Sequence, residues 1–227
     1  MSWHPSDHDP EWPFDLMATS FTFNPATTAL LVIDLQGGQI GLDPAGEIAQ
    51  KYPHIATYWN ARINRCVIPN TQLLLNYFRA HEMKIVYTRN GYLTATGQET
   101  TRRLRPGKPL EKGYRGTPGY EIEQRVTPLP SELVVDKLTS GAFSCTWLDH
   151  ALRNMGISAL VIAGVVSDMC VLGTARVAAE LGYDTMLSED ACASFTHRAH
   201  TEAMLMLARK FGRVAQTLDI IAELEQA

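Results

Sequence analysis

Short apolar runs recur along the chain and are separated by longer segments of mixed polarity. Several runs are apolar on both faces, which is typical of parallel strands covered by helices on both sides. The run Ala29-Leu-Leu-Val-Ile-Asp34 is the clearest example, and it ends on a carboxylate. We predict six strands, over residues 29–34, 84–88, 133–137, 160–166, 185–188 and 213–216.

Helical spacing of apolar residues alternates with these runs. It is clearest between Trp59 and Ala80, where Pro69 predicts a kink or break. Residues 41–57 and 90–130 lack this periodicity and are predicted to be loops that shape a pocket, since so long a loop is often functional. We predict further helices over residues 146–154, 168–181 (ended by Gly182) and 198–211, and a terminal helix.

This alternation predicts an α/β fold, a three-layer α/β/α architecture with a six-stranded parallel, doubly wound sheet. The 227 residues fit one such domain. We assign residues 1–26 to an N-terminal arm and residues 27–227 to the domain. The arm is rich in Pro, Asp and aromatic residues. Its aromatic side chains need a surface to pack on, either this domain or a neighbouring subunit.

The composition is that of an ordinary globular enzyme, with 45% hydrophobic and 19% charged residues. The net charge of −4 gives no reason to expect nucleic acid or a membrane as a partner. No apolar run approaches the ~20 residues of a membrane helix, and we expect no signal peptide. None of the four cysteines forms a C-x-x-C motif, so we expect reduced thiols and a cytoplasmic location.

Cys170 follows the fourth predicted strand. Ser167 and Asp168 form a good helix N-cap pair there, which places Cys170 in the first turn of the next helix. Unpaired N–H groups and the positive end of the helix dipole favour an anion at such a place, which predicts a lowered thiol pKa. Most free cysteines are small buried core residues, and this stretch alone is compatible with both interpretations.

Two further ionisable residues end predicted strands, Asp34 the first and Lys137 the third. Ligands of doubly wound sheets bind where the carboxyl ends of strands meet, so both residues can converge with Cys170. The three would form a hydrolase in which the thiolate attacks a carbonyl carbon, Asp34 moves the proton, and Lys137 holds Asp34. The other interpretation of Asp34 and Lys137 is a structural ion pair at the rim of the sheet.

These positions lie in three separated motifs: Ala29–Gln36; Asp136-Lys137 with Ala142-Phe143 and Thr146; and Gly164–Val171 with Thr174-Ala175. In this order the motifs resemble the isochorismatase-like cysteine hydrolases. The resemblance spans residues 27 to 220. It is to the amidohydrolase branch, which includes the N-carbamoylsarcosine, ureidoacrylate and biuret hydrolases.

The resemblance implies the fold predicted above and a catalytic triad of Asp34, Lys137 and Cys170. It also implies a cis peptide bond between Val165 and Val166, and an oxyanion hole formed by the N–H groups of Val166 and Cys170. Members of the family often form homodimers or homotetramers, and the aromatic arm suits a subunit contact of that kind.

The segment after the second strand departs from one branch of the family. Nicotinamidases carry an Asp-x-His pair there as part of a metal site, whereas this chain has Arg89-Asn90-Gly91-Tyr92. We therefore expect no metal, no other cofactor and a substrate other than nicotinamide. Isochorismatases of siderophore pathways lack the nucleophilic cysteine and cleave a vinyl ether, so Cys170 favours amide chemistry.

The sequence thus predicts a metal-independent cysteine amidohydrolase that cleaves a C–N bond of a small amide or ureide through a thioester on Cys170. The alternatives are a nicotinamidase-type or isochorismate-type hydrolase of the same fold, or a non-catalytic binding member. Gln36 and Phe143 are the candidate substrate-binding residues. Strand alternation places Gln36 on the same side as Asp34, and Phe143 would wall the pocket. A polar loop residue and a core aromatic are the respective alternatives.

Residues 102–115 carry six Lys and Arg side chains against Glu111. They would attract an anionic substrate, but we favour a solvated charged loop. His197 and His200 lie three residues apart near the start of a predicted helix. Because the sequence offers no third ligand nearby, we expect surface or packing histidines and no metal site.

Overall fold

The computed structural model describes residues 3–227 and contains one six-stranded sheet. The strands are β1 (Thr28–Ile33), β2 (Lys84–Asn90), β3 (Leu133–Lys137), β4 (Ala159–Val165), β5 (Asp184–Ala193) and β6 (Arg213–Ala215). Their order is β3-β2-β1-β4-β5-β6, and every neighbouring pair is parallel. The order reverses between β1 and β4, which is where doubly wound sheets bind ligands.

The helices of the described residues alternate with these strands. They are α1 (Phe14–Met17), α2 (Glu47–Lys51), α3 (Pro53–Arg62), α4 (Ile68–Ala80), α5 (Leu148–Asn154), α6 (Leu172–Glu180), α7 (His197–Ala208) and α8 (Thr217–Glu225). A π-helical turn, Ile63–Val67, joins α3 to α4, and Pro69 occupies the first turn of α4. The helix is therefore not broken at Pro69. Its pitch changes instead in the π-helical turn that comes just before Pro69.

The prediction of a loop over residues 41–57 holds for residues 41–46 and is wrong for the rest of the segment. Helix α2 lies within it, and α3 begins at Pro53. The first helical position tolerates proline, because its missing N–H would have no partner there and its φ suits a helix. Pro53 therefore starts a helix instead of interrupting one.

The core has one layer on each side of the sheet. Leu30 and Val32 of β1 pack into one cluster with side chains of α3, α4 and α8, while Leu31 and Ile33 pack into a second cluster with side chains of α5, α6 and α7. Successive strand residues point to opposite faces, so one apolar strand supplies both clusters. This arrangement confirms the predicted three-layer α/β/α fold with its parallel, doubly wound sheet.

The long segment between β2 and β3 is irregular apart from short 3₁₀ turns, as predicted. It packs against the loop that follows β1. Gly37 N–H donates to the carbonyl oxygen of Glu121 at 3.0 Å, and Gly38 N–H donates to that of Gly119 at 2.9 Å. These bonds fix the segment at the carboxyl edge of the sheet.

The N-terminal arm packs on its own domain. Phe14 lies against Leu205 and Ala208 at the end of α7, and Asp9 accepts a 2.7 Å hydrogen bond from Arg209. The packing surface expected for the aromatic residues is thus present within the chain, and the homodimer or homotetramer stays a prediction. No helix within residues 3–227 is long and apolar enough to cross a lipid bilayer.

Candidate active site

Asp34 and Lys137 meet at the carboxyl edge of the sheet. Lys137 Nζ lies 2.7 Å from Asp34 Oδ2, and both side chains are fully buried. Lys137 Nζ also donates to the carbonyl oxygens of Thr139 at 3.0 Å and Ser140 at 2.9 Å. Its three hydrogens therefore face three acceptors, as a buried ammonium requires. The pair is shielded from water, and the two interpretations that the sequence offered for it, catalytic and structural, both stay predictions.

Thr88 of β2 orients the Asp34 carboxylate. Its hydroxyl donates to Asp34 Oδ1 at 2.6 Å, and the Asp34 N–H donates to the Thr88 carbonyl oxygen at 3.2 Å. Asp34 has a left-handed φ of 52°, which turns the chain out of β1. Thr88 is not among the residues predicted above. Its only sequence signal is a hydroxyl near the end of an apolar strand.

The Asp34 carboxylate has a second interaction besides its contact with Lys137. A side-chain hydrogen bond joins it to the Cys170 thiol and contributes to the raised pKa of that thiol. A carboxylate oxygen can accept more than one hydrogen bond, so the contact with Lys137 leaves Asp34 able to accept a proton from the thiol.

Cys170 belongs to a second π-helical turn, Ser167–Val171, which links β4 to α6. No side chain caps this turn, so the N-cap pair predicted at Ser167 and Asp168 is wrong. Tertiary partners take both side chains instead. The Ser167 hydroxyl lies 2.8 Å from His200 Nδ1, and Asp168 accepts a 2.5 Å hydrogen bond from Ser194.

The Cys170 thiol interacts with the charges of both Asp34 and Lys137. Burial and the Asp34 carboxylate raise the pKa of the Cys170 thiol to about 12, against the opposing effect of Lys137. The lowered pKa predicted from the helix terminus is therefore wrong, because only 7% of this residue is exposed and an anion stands beside it. The resting side chain is a neutral thiol with a carboxylate nearby.

Strands β1 and β4 approach closely just below this site. Gly164 has a φ of 123°, and a Cβ at this position would collide with the carbonyl oxygen of Ile33. Glycine alone tolerates both conditions. The peptide bond between Val165 and Val166, just after Gly164, is cis, as the resemblance implies. Asp34 follows β1 and the Cys170 turn follows β4, so both parts of the site come directly after two strands that contact each other.

A cavity of about 300 Å³ opens beside these residues. Gln36, two residues after Asp34, and Leu138, next to Lys137, contribute to its wall, whereas Asp34, Lys137 and Cys170 do not. The other lining residues are Gly38, Gln39, Asn90, Gly91, Tyr92, Thr100, Leu104, Gly113, Gly119 and Tyr120. The long segment between β2 and β3 thus shapes this cavity, as predicted, while residues 41–57 contribute nothing to it.

Gln36 lines this cavity, but its amide is already engaged. Gln36 Nε2 donates to the Tyr120 carbonyl oxygen at 2.7 Å, and Oε1 accepts from the Asn90 N–H at 2.7 Å and from Gln39 Nε2 at 3.2 Å. Phe143 is half-buried in the core, packs beside the Tyr183 ring and does not line the cavity. Substrate contact by Gln36 and Phe143 stays a prediction.

The six cations of residues 102–115 are all exposed, and none of them lines the cavity. His197 is also exposed, whereas His200 is buried and packs against the Cys170 turn. Within residues 3–227, no three His, Cys, Asp or Glu side chains are grouped so as to hold a metal ion.

Known proteins match this chain over most of its length. The family model of the isochorismatase domain matches residues 28–219, which include Asp34, Lys137 and Cys170. The uncharacterized isochorismatase family protein YddQ of Bacillus subtilis (strain 168) is 31% identical over 170 residues, which cover 75% of this chain and 79% of that protein.

Solved structures share the fold. A cysteine hydrolase from Pseudomonas syringae pv. phaseolicola 1448A aligns with a TM-score of 0.75 at 21% identity, over 92% of this chain and 97% of the other. N-carbamoylsarcosine amidase from Thermoplasma acidophilum aligns with a TM-score of 0.63 at 23% identity, over 84% and 96% of the respective chains. From the extent of the family match and the identity to YddQ, the chain belongs to the isochorismatase family of hydrolases.

Proposed function

We propose that this protein is a metal-independent cysteine amidohydrolase that cleaves a C–N bond of a small amide or ureide. One observation carries the proposal: the Cys170 thiol interacts directly with the carboxylate of a buried Asp34–Lys137 pair. A neutral thiol with a high pKa needs a base at the moment of attack, and Asp34 is that base.

In the first half of the reaction Cys170 Sγ bonds to the substrate carbonyl carbon while its proton moves to Asp34. The C–N bond then breaks, and Asp34 returns the proton to the departing nitrogen, which leaves as ammonia or an amine. Lys137 stays protonated throughout and balances the charge of Asp34. The product of this half is a thioester on Cys170, or a thiocarbamate where the substrate is a ureide.

The second half reverses these roles. Asp34 takes a proton from water, the resulting hydroxide attacks the thioester carbon, and the C–S bond breaks as Cys170 recovers its proton. Each tetrahedral intermediate carries a negative oxygen that needs preorganised donors. We assign these donors to the N–H groups of Val166 and Cys170, by resemblance to the family.

The substrate is small. A cavity of about 300 Å³ lies at the lower end of the range for small-molecule sites. Its wall carries the neutral polar side chains of Gln39, Asn90 and Thr100 and the rings of Tyr92 and Tyr120. This lining suits a compact, uncharged polar group. The name of the Thermoplasma acidophilum neighbour adds N-carbamoylsarcosine to the compounds worth testing.

The test is release of ammonia from a panel of primary amides and ureides by the wild type and by Cys170→Ala, each with and without a chelator. The exposed Cys145 provides the matched control, Cys145→Ala. We expect release that requires Cys170, survives chelation and persists in Cys145→Ala. A stable acyl adduct on the Cys170 peptide, found by mass spectrometry, would identify the nucleophile directly.

Two results would contradict the proposal. Ammonia release that continues in Cys170→Ala would remove the thiol from the chemistry. Failure of every amide and ureide, with hydrolysis of isochorismate instead, would assign ether cleavage to the same site. Nicotinamide is included in the panel, with and without chelator, so that nicotinamidase activity is separated from that of the other amides.

A further inference from the structure

A buried polar network of hydrogen-bonded side chains extends from the Cys170 turn into the body of the domain. Ser167 Oγ lies 2.8 Å from His200 Nδ1, and His200 Nε2 lies 2.9 Å from Glu189 Oε1. Arg62 donates through Nη2 to Glu189 Oε1 at 2.8 Å and to the Glu189 carbonyl oxygen at 2.9 Å. This polar network therefore connects the turn to α7, β5 and α3.

Two groups contact His200 Nε2: Glu189 Oε1, which only accepts, at 2.9 Å and Arg62 Nη2, which only donates, at 2.8 Å. Both hydrogens of Arg62 Nη2 also have oxygen acceptors on Glu189. We therefore assign the hydrogen of His200 to Nε2, which donates to Glu189. His200 Nδ1 is then unprotonated and accepts the hydrogen of the Ser167 hydroxyl.

The order Ser167–His200–Glu189 has the connectivity of a serine hydrolase relay, but it is not a second active site. Ser167 is completely buried and His200 is 1% exposed, so no substrate reaches the hydroxyl. The polar network instead controls the orientation of Ser167. Ser167 is the first residue of the five-residue turn that ends at Val171 and contains Cys170.

We propose that His200 is a positioning residue: its neutral imidazole holds the Ser167 hydroxyl and thereby fixes the turn that aims Cys170 at the carbonyl carbon. This inference rests on the proposed function, in which Cys170 is the nucleophile. The turn has no side-chain N-cap, and the bond from the Ser167 hydroxyl to His200 anchors its first residue to α7 instead. An error in the direction of Sγ slows attack even where the fold is intact, because the reacting atoms must be closely aligned.

Two pairs of variants separate positioning from general packing. Ser167→Ala removes the hydroxyl, whereas Ser167→Thr keeps it. His200→Asn places an amide oxygen near the position of Nδ1 and keeps an acceptor for Ser167, but it loses the contact with Glu189. His200→Gln places its amide near Nε2 and keeps the contact with Glu189, but it offers Ser167 no acceptor. His197→Gln, on the exposed side of the same helix, is the control.

The readout is acylation of Cys170 by 4-nitrophenyl acetate. Cys170 Sγ bonds to the acetyl carbon, the ester C–O bond breaks, nitrophenolate leaves, and the thiol proton passes to Asp34. The burst of nitrophenolate gives the rate, and the acetyl group is located on the Cys170 peptide by mass spectrometry. Melting temperatures of all variants report whether the fold survives.

We expect Ser167→Ala and His200→Gln to slow acylation about tenfold or more, and Ser167→Thr, His200→Asn and His197→Gln to stay within about threefold of the wild type. Equal rates in the wild type, Ser167→Ala and His200→Gln would overturn the inference and leave the proposed function standing. Equal slowing by His200→Asn and His200→Gln would also overturn it, because packing and not the acceptor would then matter. A wild type that is not acylated at Cys170 would overturn the proposed function and the positioning role together.

Discussion

The hydroxyl of Thr88 donates a 2.6 Å hydrogen bond to Oδ1 of Asp34, across the register of two neighbouring parallel strands. Ile33, the last residue of β1, pairs with Thr88 in that register, so the next residue falls within reach of the hydroxyl. The bond satisfies one carboxylate oxygen and leaves Oδ2 to face Lys137. The base of the proposed reaction is therefore oriented by a strand residue that does not line the cavity.

Thr88→Val tests this role, because it removes the hydroxyl and keeps nearly the same volume. We expect kcat to fall about ten- to hundredfold with little change in KM, since the carboxylate is then held at only one of its two oxygens, by Lys137. The unpaired buried oxygen should also lower the free energy of unfolding by about 1–3 kcal/mol. Steady-state kinetics and urea denaturation measure the two effects. Thr88→Ser, which keeps the hydroxyl, should act nearly as the wild type, and an unchanged kcat in Thr88→Val would refute the role.

The parts of the site that the sequence predicts are those set by local pattern. Asp34, Lys137 and Cys170 each follow an apolar run, and the strand-end rule for parallel sheets brings them together. Thr88 and the contact between His200 and Ser167 were not predicted, because the partners lie 54 and 33 residues apart along the chain. Contacts of this kind depend on strand register and helix packing, which no short motif encodes.

The pKa of the Cys170 thiol shows that a local sequence signal can also mislead when tertiary contacts oppose it. A helix terminus is visible in the sequence and predicts a lowered pKa for Cys170. Burial and the adjacent Asp34 carboxylate are properties of the folded chain, and they raise that pKa to about 12. Where a local and a tertiary effect compete at a buried group, desolvation commonly dominates.

The buried Asp34–Lys137 pair makes a prediction about stability. Asp34→Asn and Lys137→Met each leave one uncompensated charge without solvent, so each should lower the free energy of unfolding by about 3–5 kcal/mol. The double variant removes both charges and should lose clearly less than the sum of the two single losses. Urea denaturation of the four proteins gives the coupling. Additive losses would mean that the two charges do not compensate each other.

Gln36 makes a prediction that separates a structural role from a role in binding. Its amide serves the Tyr120 carbonyl oxygen and the Asn90 N–H, both in elements that border the cavity. Gln36→Leu should lower the free energy of unfolding by about 1–3 kcal/mol for each of these groups left unpaired. Gln39→Leu, a more exposed amide in the same wall, is the matched control and should cost less stability. A raised KM with unchanged stability in Gln36→Leu would instead identify Gln36 as a substrate ligand.

The buried polar network from Arg62 to His200 predicts that the free energy of unfolding falls in acid. Burial lowers the pKa of His200 below its usual value of 6.5. Burial would raise the pKa of Glu189, but the hydrogen bond from His200 and the charge of Arg62 outweigh it and bring that pKa from 4.5 to about 2. For both groups the folded pKa lies below the unfolded one, so the unfolded chain binds more protons in acid.

Stability should therefore decline in two steps as the pH falls. The first step begins near pH 6.5, where the unfolded His200 takes up a proton and the folded one does not, and its slope approaches about 1.4 kcal/mol per pH unit as the unfolded His200 becomes fully protonated. The second begins near pH 4.5 as Glu189 in the unfolded chain is protonated, and it continues to about pH 2. His200→Gln should lose the first step and His197→Gln should keep it, when the free energy of unfolding is measured by urea denaturation across this range. A His200→Gln profile that still declines from pH 6.5 with the wild-type slope would show that another group causes the first step.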